Sequence, residues 1–139
     1  MPKKSSPNTK AFTAPKRSIL LVDDDASLRE LYQTRLSLEG FLVTTAASGS
    51  EALHYAQTQK PAIIFLDVIM PKMDGFETLQ KLKADPRTAD IPVCMLTNLG
   101  NPKDKQKALD LGAIKYYVKA DVTLTQFISC VKKYINLSN

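Results

Sequence analysis

The sequence predicts an α/β fold, a doubly wound parallel sheet of five strands with helices on both faces. Five short apolar segments divide the chain of 139 residues, at 18–22, 41–46, 63–67, 91–96 and 114–118. A segment with helical periodicity follows each of them. Strands that alternate with helices of about ten residues form right-handed β-α-β units, and such units build a parallel sheet.

The strands differ in their expected burial. Segments 63–67 and 91–96 are almost continuously hydrophobic, which is typical of central strands that are covered on both faces. Segment 41–46 contains Thr44 and Thr45 and is predicted to lie at an edge. We predict the strand order 2-1-3-4-5, which is that of a flavodoxin-like sheet.

The first helix is expected over residues 26–39. Ser27 and Glu30 have the spacing of a capping box, and Gly40 stands where many helices stop. The apolar side of this helix is predicted to consist of Leu28, Leu31, Tyr32, Leu36 and Leu38.

The other four helices are expected over 49–59, from 76 to the Asp85-Pro86 pair, over 102–111 and over 124–135. Proline disfavours helix at the preceding residue, so Pro86 marks the end of the third helix. The residues predicted to face inward are Ala52, Leu53, Ala56, Phe76, Leu79, Leu82, Leu124, Phe127, Ile128, Val131 and Ile135.

The net charge of +5 comes from the N-terminus. Residues 1–17 hold five of the 19 basic residues and no acidic one, so the remaining chain is formally neutral. With three prolines and one aromatic residue, this segment is predicted to be a disordered basic tail. The tail precedes one domain over 18–139. A neutral domain gives no reason to expect direct nucleic-acid binding.

The two cysteines, Cys94 and Cys130, lack the spacing of a metal site and are predicted to be buried or half-buried thiols in a reducing compartment. No apolar segment approaches the ~20 residues of a membrane helix. The N-terminus also lacks the apolar segment of a signal peptide. We therefore expect a cytoplasmic protein without membrane contact.

The first and third apolar segments both end on carboxylates. Asp23 and Asp24 follow the first, and Asp67 closes the third. In an open α/β sheet, ligands bind at the carboxyl ends of the strands, where the strand order reverses. The predicted order places that point between the first and third strands. Clustered carboxylates repel each other unless a cation lies among them, and oxygen ligands suit Mg²⁺.

The fourth and fifth apolar segments bring a hydroxyl and an ammonium group to the same edge of the sheet. These groups belong to Thr97 and Lys119. A cation, a lysine and a hydroxyl can together neutralise and bind a phosphoryl group, while one carboxylate acts as the nucleophile.

In order and spacing, these residues resemble the receiver domain of bacterial two-component response regulators. The resemblance covers residues 18–137. It implies that Asp67 accepts a phosphoryl group from a sensor histidine kinase or a histidine phosphotransfer protein. The residues that carry it are Val22-Asp23-Asp24, Leu66-Asp67, Met70-Pro71, Met73-Asp74-Gly75, Thr97, Tyr116 and Lys119.

The resemblance also implies a ligand set for Mg²⁺. Asp24 and Asp67 would bind the ion directly, Asp23 through water and Ile69 through its backbone carbonyl. Lys119 would pair with the phosphoryl group.

A switch is implied as well. Thr97 would bond a phosphoryl oxygen and move toward it, and Tyr116 would follow into the space vacated. This population shift would alter the face formed by the fourth helix, the fifth strand and the fifth helix, to which a downstream protein would bind.

Two features depart from the family pattern. Ala120 follows Lys119 where the family usually has proline, so we expect a trans peptide bond there. Asn98, followed by Leu99, stands after Thr97 where the family prefers a small residue, and both are expected to flank the phosphorylation site and control water access.

Ile69 and Leu99 are expected as apolar side chains at the pocket rim that restrict water and slow phosphate loss. Comparing the rate of phosphate loss with that of a variant polar at both positions tests this expectation.

Simpler structural roles are expected for several other polar residues. Asp25 suits a helix N-terminus, and Asp74-Gly75 suits a turn into the third helix. Tyr116 could also be an ordinary aromatic residue of an edge strand. Solvent-exposed positions are expected for His54, Lys103, Lys105 and Lys107.

Two alternative functions remain open at this point. A small phosphohydrolase resembling the haloacid-dehalogenase group would use Asp23-x-Asp25, Thr97 and Lys119 but would leave Asp67 without a role. A degenerate receiver would serve only for docking. With no expected domain after Asn139, we favour a stand-alone receiver that acts by protein contact, as a monomer or weak dimer and without enzymatic turnover.

Overall fold

The computed structural model describes residues 17–138, so the predicted basic tail lies outside the described residues except for Arg17. The five strands are β1 (Ser18–Val22), β2 (Leu42–Ala46), β3 (Ile63–Leu66), β4 (Val93–Thr97) and β5 (Lys115–Val118). The five α-helices are α1 (Ala26–Leu38), α2 (Gly49–Gln59), α3 (Gly75–Ala84), α4 (Pro102–Asp110) and α5 (Leu124–Ser138).

All strand pairs are parallel, and the sheet order is β2-β1-β3-β4-β5. This confirms the predicted doubly wound fold and its order. β2 lies at an edge, and all residues of the central strands β3 and β4 are buried. The strand order reverses between β1 and β3, which places a crevice at their carboxyl ends.

Two hydrophobic clusters cover the two faces of the sheet. Alternate residues of a strand point to opposite faces, so Leu20 and Val22 join one cluster while Ile19 and Leu21 join the other. The first cluster includes buried side chains of α2, α3 and α4. The second includes those of α1 and α5. The sheet therefore lies between two helical layers, and its crevice opens at one end.

Helix α1 starts differently from the prediction. Its N-cap is Asp25, whose carboxylate accepts hydrogen bonds from the backbone N–H groups of Ser27 and Leu28 at 3.0 and 3.2 Å. The predicted Ser27–Glu30 capping box is therefore wrong, because Asp25 stands just before the first helical turn and caps it instead.

The inward face of α1 is also narrower than predicted. Tyr32 and Leu36 are buried, but Leu31 and Leu38 are 48% and 76% exposed. Since the sheet covers only one side of this helix, leucines that project outside that side stay in solvent. Gly40 ends the segment with φ of 92°, a conformation that favours glycine.

The remaining helices agree with their predicted positions. Asp74 caps α3 through a hydrogen bond from the Glu77 N–H, and Pro102 occupies the first turn of α4. Helix α5 extends to Ser138, three residues beyond the predicted end. All of the predicted inward residues of these helices are buried except Leu53 and Leu124, which are partly buried and pack against the core clusters.

Lys119, Ala120 and Asp121 form a short 3₁₀ turn after β5. Among residues 17–138 no peptide bond is cis, which agrees with the trans bond expected before Ala120. Cys94 is buried as predicted, whereas Cys130 is exposed on α5, contrary to the expectation of a half-buried thiol. Within the described part of the chain, no helix is long and apolar enough to cross a membrane.

Candidate functional site

Three carboxylates converge at the crevice between β1 and β3. One oxygen from each of Asp23, Asp24 and Asp67 can be chosen so that all three lie within 4.8 Å of one another. Asp23 and Asp67 are 4% and 6% exposed, and Asp24 is exposed. Asp23 and Asp24 lie 44 and 43 positions before Asp67 in the sequence, and the fold brings the three to one point.

Strand pairing fixes two of these residues. Val22, the last residue of β1, is in register with Leu66, the last residue of β3, and Asp23 and Asp67 directly follow these two residues. The Asp67 N–H donates to the Val22 carbonyl at 3.0 Å, and the Asp23 N–H donates to the Ala46 carbonyl at 3.1 Å. Both aspartates therefore extend the sheet ladder, which holds their backbones in place.

Lys119 joins the two buried carboxylates. Its Nζ lies 2.6 Å from Asp23 Oδ2 and 3.1 Å from Asp67 Oδ2, and its side chain is 8% exposed. Burial alone would lower the pKa of this lysine, but hydrogen bonds and charge attraction from both aspartates raise it above its usual value. Lys119 is therefore a firmly protonated cation.

The pocket keeps an excess of negative charge despite this lysine. Burial raises the pKa of Asp23, and the charge of Asp67 adds to the effect, while hydrogen bonds from Lys119 and the Asp25 N–H oppose it. Three carboxylates next to one ammonium group leave a net charge of about −2, which favours a divalent cation. Oxygen donors in an open pocket fit a hard ion such as Mg²⁺.

The pocket has a volume of about 180 Å³. Besides the carboxylates and Lys119, it is lined by Asp25, Leu28, Ile69 and Asn98. Ile69 is at the rim as expected, with 53% of its surface exposed. Asn98 lines the pocket in agreement with its expected place beside the phosphorylation site. Leu28 was expected only on the apolar side of α1, because which side of the first turn faces the pocket depends on tertiary packing.

Leu99 is not a rim residue, contrary to expectation. Its side chain packs against the core cluster that includes α3 and α4. Its backbone instead contacts both proposed switch residues. The Leu99 N–H donates to Thr97 Oγ1 at 3.4 Å, and the Tyr116 hydroxyl donates to the Leu99 carbonyl at 2.7 Å.

Thr97 and Tyr116 do not line the pocket. Thr97 is the last residue of β4 and is fully buried, and Tyr116 is partly buried against the same core cluster as Leu99. The structure therefore brings the acids and Lys119 together in the lining of the pocket. Thr97 and Tyr116 lie outside that lining, buried or partly buried in the protein.

Gly75 allows the backbone of Asp67 to approach the start of α3, a role that the sequence did not predict. A Cβ atom at this position would lie 2.2 Å from the Asp67 carbonyl oxygen and 2.7 Å from the Val68 Cα. The Gly75 N–H also donates to the Val68 carbonyl at 2.8 Å. The Asp74-Gly75 pair was predicted to form a turn, and in addition its glycine lets α3 start directly against the backbone of Asp67.

The expected structural roles of other residues agree with the structure. Asp25 caps α1, and His54 is exposed. The lysines of α4 are exposed too, and Nζ of Lys107 lies 4.3 Å from the centre of the Phe76 ring. The Asp25 carboxylate caps α1, and the cluster of three carboxylates is formed by Asp23, Asp24 and Asp67 instead.

Comparison with known proteins agrees with this geometry. Residues 19–129 match the family model described as the response regulator receiver domain. The chain belongs to this family of receiver domains. Family membership gives no support to the phosphohydrolase alternative.

Among curated relatives, the receiver is 47% identical over 104 residues to a probable transcriptional regulator, ycf27, of Cyanophora paradoxa. The match covers 75% of this chain and 42% of the relative. The chain therefore spans less than half the length of that relative.

Two solved structures resemble the receiver closely. The chemotaxis protein CheY4 of Vibrio cholerae is 33% identical, with a TM-score of 0.77 and coverage of 84% of this chain and 96% of that one. The Mn²⁺-bound response regulator Rcp1 is 28% identical, with a TM-score of 0.71 and coverage of 84% and 90%.

Proposed function

We propose that Asp67 is the phospho-acceptor of this receiver and takes its phosphoryl group from a phosphohistidine. The observation that supports this most strongly is the contact of Lys119 with Asp67 beside Asp23 and Asp24. Asp67 is buried yet lines an open pocket, so a donor can reach its carboxylate. The donor would be a sensor histidine kinase or a histidine phosphotransfer protein, since these are the partners of receiver domains.

In this reaction, a carboxylate oxygen of Asp67 attacks phosphorus and forms a P–O bond. The P–N bond to the imidazole breaks, and its electron pair stays with the imidazole. Lys119 is within reach of the oxygens of a phosphoryl group on Asp67 and would neutralise part of their charge.

Mg²⁺ is the proposed cofactor. Asp24 and Asp67 would bind it directly, Asp23 through water and Ile69 through its backbone carbonyl. When bound, the ion would supply positive charge for the phosphoryl oxygens. That the related regulator Rcp1 was solved in a Mn²⁺-bound form is in keeping with a divalent-cation site here.

For the output we propose the switch of Thr97 and Tyr116. A phosphoryl group on Asp67 would offer a new acceptor to the Thr97 hydroxyl, which now accepts from the Leu99 N–H. Since Leu99 also accepts from Tyr116, movement of Thr97 would reach the face of α4, β5 and α5. A downstream protein would bind there.

The remaining proposals concern the whole protein. We propose that the receiver signals by protein contact without enzymatic turnover, as a monomer or weak dimer. The basic tail, the cytoplasmic location and the absence of direct nucleic-acid or membrane contact stay predictions from the sequence. The matched relative from Cyanophora is named as a transcriptional regulator, and more than half of its length lies outside the match.

Incubation with acetyl phosphate and Mg²⁺, followed by intact-mass measurement, tests the proposal. We expect the protein to gain one phosphoryl unit, and the gain to disappear in Asp67→Asn and after chelation of Mg²⁺. Asp74→Asn is a suitable control, because Asp74 caps α3 and does not line the pocket. An equal gain in Asp67→Asn would exclude Asp67 as the acceptor. Turnover of p-nitrophenyl phosphate that depends on Asp23 would favour the phosphohydrolase.

A further inference from the structure

Arg29 contacts the backbone of the acidic turn from helix α1. Its Nη1 donates a hydrogen bond of 2.8 Å to the backbone carbonyl of Asp23, six positions earlier, and its side chain is partly buried. Side chains of a helix lean toward its N-terminus, so an arginine in the second turn can reach back to the preceding loop. The guanidinium group is thereby fixed on the turn between β1 and α1.

The position of Asp24 depends on this backbone more than the positions of the other two acids. The carboxylates of Asp23 and Asp67 are each held by Lys119 and by the backbone N–H two positions further along the chain. Within residues 17–138, no hydrogen bond or ion pair holds the carboxylate of Asp24. Its direction is therefore set by the backbone from which it projects.

The carbonyl of Asp23 and the N–H of Asp24 belong to one planar peptide unit. A hydrogen bond from Arg29 to that carbonyl fixes the orientation of the unit, and with it the direction in which Asp24 leaves the backbone. We propose that Arg29 is a positioning residue that orients Asp24 toward a divalent cation. This inference rests on the metal site proposed above.

Stabilisation of α1 alone does not explain an arginine at this position. A positive charge near the start of a helix opposes the helix dipole; α1 has no acidic residue within its first turn, although its N-cap is the acidic Asp25. Replacing Arg29 by a neutral residue should relieve this opposition, but it also removes one hydrogen bond and the attraction between the guanidinium group and the acidic turn. The net change in thermal stability should be small, whereas the change in metal binding should be large.

Titration of the 139-residue chain with Mg²⁺ by calorimetry tests the proposal. Arg29→Met retains the aliphatic stem and removes the donors, and Arg35→Met makes the same change six residues further along α1. Loss of the Arg29 charge by itself would favour a cation in the pocket, so a fall in affinity would report lost orientation of Asp24. We expect Mg²⁺ affinity to fall roughly tenfold in Arg29→Met, as for other residues that orient metal ligands. It should remain near wild type in Arg35→Met and be largely retained in Arg29→Lys, which keeps a cationic donor.

Two further measurements separate positioning from a merely structural role. The backbone amide resonance of Asp24 should shift in metal-free Arg29→Met but not in Arg35→Met, while the thermal midpoints of both variants stay close to wild type. In an Asp24→Asn background, Arg29→Met should cause little further loss of Mg²⁺ affinity.

Equal Mg²⁺ affinities of Arg29→Met and Arg35→Met would overturn the proposal, as would an undiminished effect of Arg29→Met in the Asp24→Asn background. If the wild-type protein itself fails to bind Mg²⁺, the proposed metal site is wrong, and this inference falls with it. Wild-type binding that survives Arg29→Met unchanged would overturn the inference alone.

Discussion

At the scale of single residues, one ammonium group serves two carboxylates. Lys119 lies within hydrogen-bonding distance of both Asp23 and Asp67, and the pKa of the lysine is raised by them despite its burial. The ammonium group therefore neutralises part of the negative charge that would attract a divalent cation, and it lies where such a cation would bind. Its effects on cation binding and on phosphoryl transfer should be opposite in sign.

Lys119→Met should tighten Mg²⁺ binding and slow phosphorylation. Removing a unit charge a few ångströms from the carboxylates increases the attraction for a cation, and we expect affinity to rise roughly threefold to tenfold after screening by solvent. Phosphorylation by acetyl phosphate should slow at least about tenfold, because the phosphoryl oxygens lose a charged donor.

Calorimetry and intact-mass kinetics measure the two effects. Lys115→Met is the matched control, since Lys115 is exposed at the opposite end of β5. Weaker Mg²⁺ binding in Lys119→Met would contradict the expectation and would indicate that the lysine mainly maintains the shape of the pocket.

The two cysteines differ in environment in a way that labelling can detect. Cys94 is 2% exposed, and burial raises the pKa of its thiol to about 12, whereas Cys130 is exposed. The thiolate is the reactive form and is favoured only above the pKa, so at pH 8 the native Cys94 should be inert. We expect one equivalent of iodoacetamide to react at Cys130 and a second only after unfolding in urea. Rapid labelling of Cys94 in the native protein would show that β4 is more open than described.

At the scale of secondary-structure elements, the start of α3 holds the backbone of Asp67. Gly75 is the first residue of that helix, and the space for its missing Cβ is filled by the Asp67 carbonyl group. A Gly→Ala change in a helix commonly stabilises a protein by ~0.4–1 kcal/mol when the backbone conformation suits alanine. At Gly75, however, the clash of the alanine Cβ with the Asp67 carbonyl should make the substitution destabilising.

Gly75→Ala should destabilise the protein by about 2 kcal/mol, which is typical of overpacking. It should also lower phosphorylation, because the displaced atoms belong to Asp67 itself. Urea unfolding and the acetyl phosphate assay measure these effects. Gly100→Ala is the control, since the atom closest to a Cβ there is Val118 Cγ1 at 3.8 Å. A Gly75→Ala variant as stable and as reactive as Gly100→Ala would contradict the expectation.

The elements also show where sequence reasoning reaches its limit. The five strands and the positions of Asp23 and Asp67 could be predicted, because apolar runs identify strands and a parallel sheet gathers their carboxyl ends. The N-cap of α1 could be predicted only in part: Asp25 was expected at the helix N-terminus, but Ser27 with Glu30 also had the spacing of a capping box, and local geometry decides between the two. The exposure of Leu31 and Leu38 could not be predicted, because helical periodicity does not show how much of the helix surface the sheet covers.

At the scale of the whole molecule, two core clusters on opposite faces of one sheet support a pocket at its end. The strands that lead into Asp23 and Asp67 are buried on both sides, so the pocket floor rests on the centre of the hydrophobic core. Long-range contacts of the pocket, such as those of Lys119 with residues 96 and 52 positions away, follow from topology. From the sequence, Lys119, Asp23 and Asp67 could be placed at the same edge of the sheet. Their direct contacts could not be predicted, because side-chain distances depend on the packing of the folded chain.

The central claim is that Asp67 receives the phosphoryl group. Borohydride reduces an aspartyl phosphate to homoserine, so reduction of the acetyl-phosphate-treated protein followed by peptide mass spectrometry locates the modified residue. We expect homoserine at position 67 alone, and only when Mg²⁺ is present. Modification at Asp23 or Asp24 with Asp67 unchanged would contradict the claim.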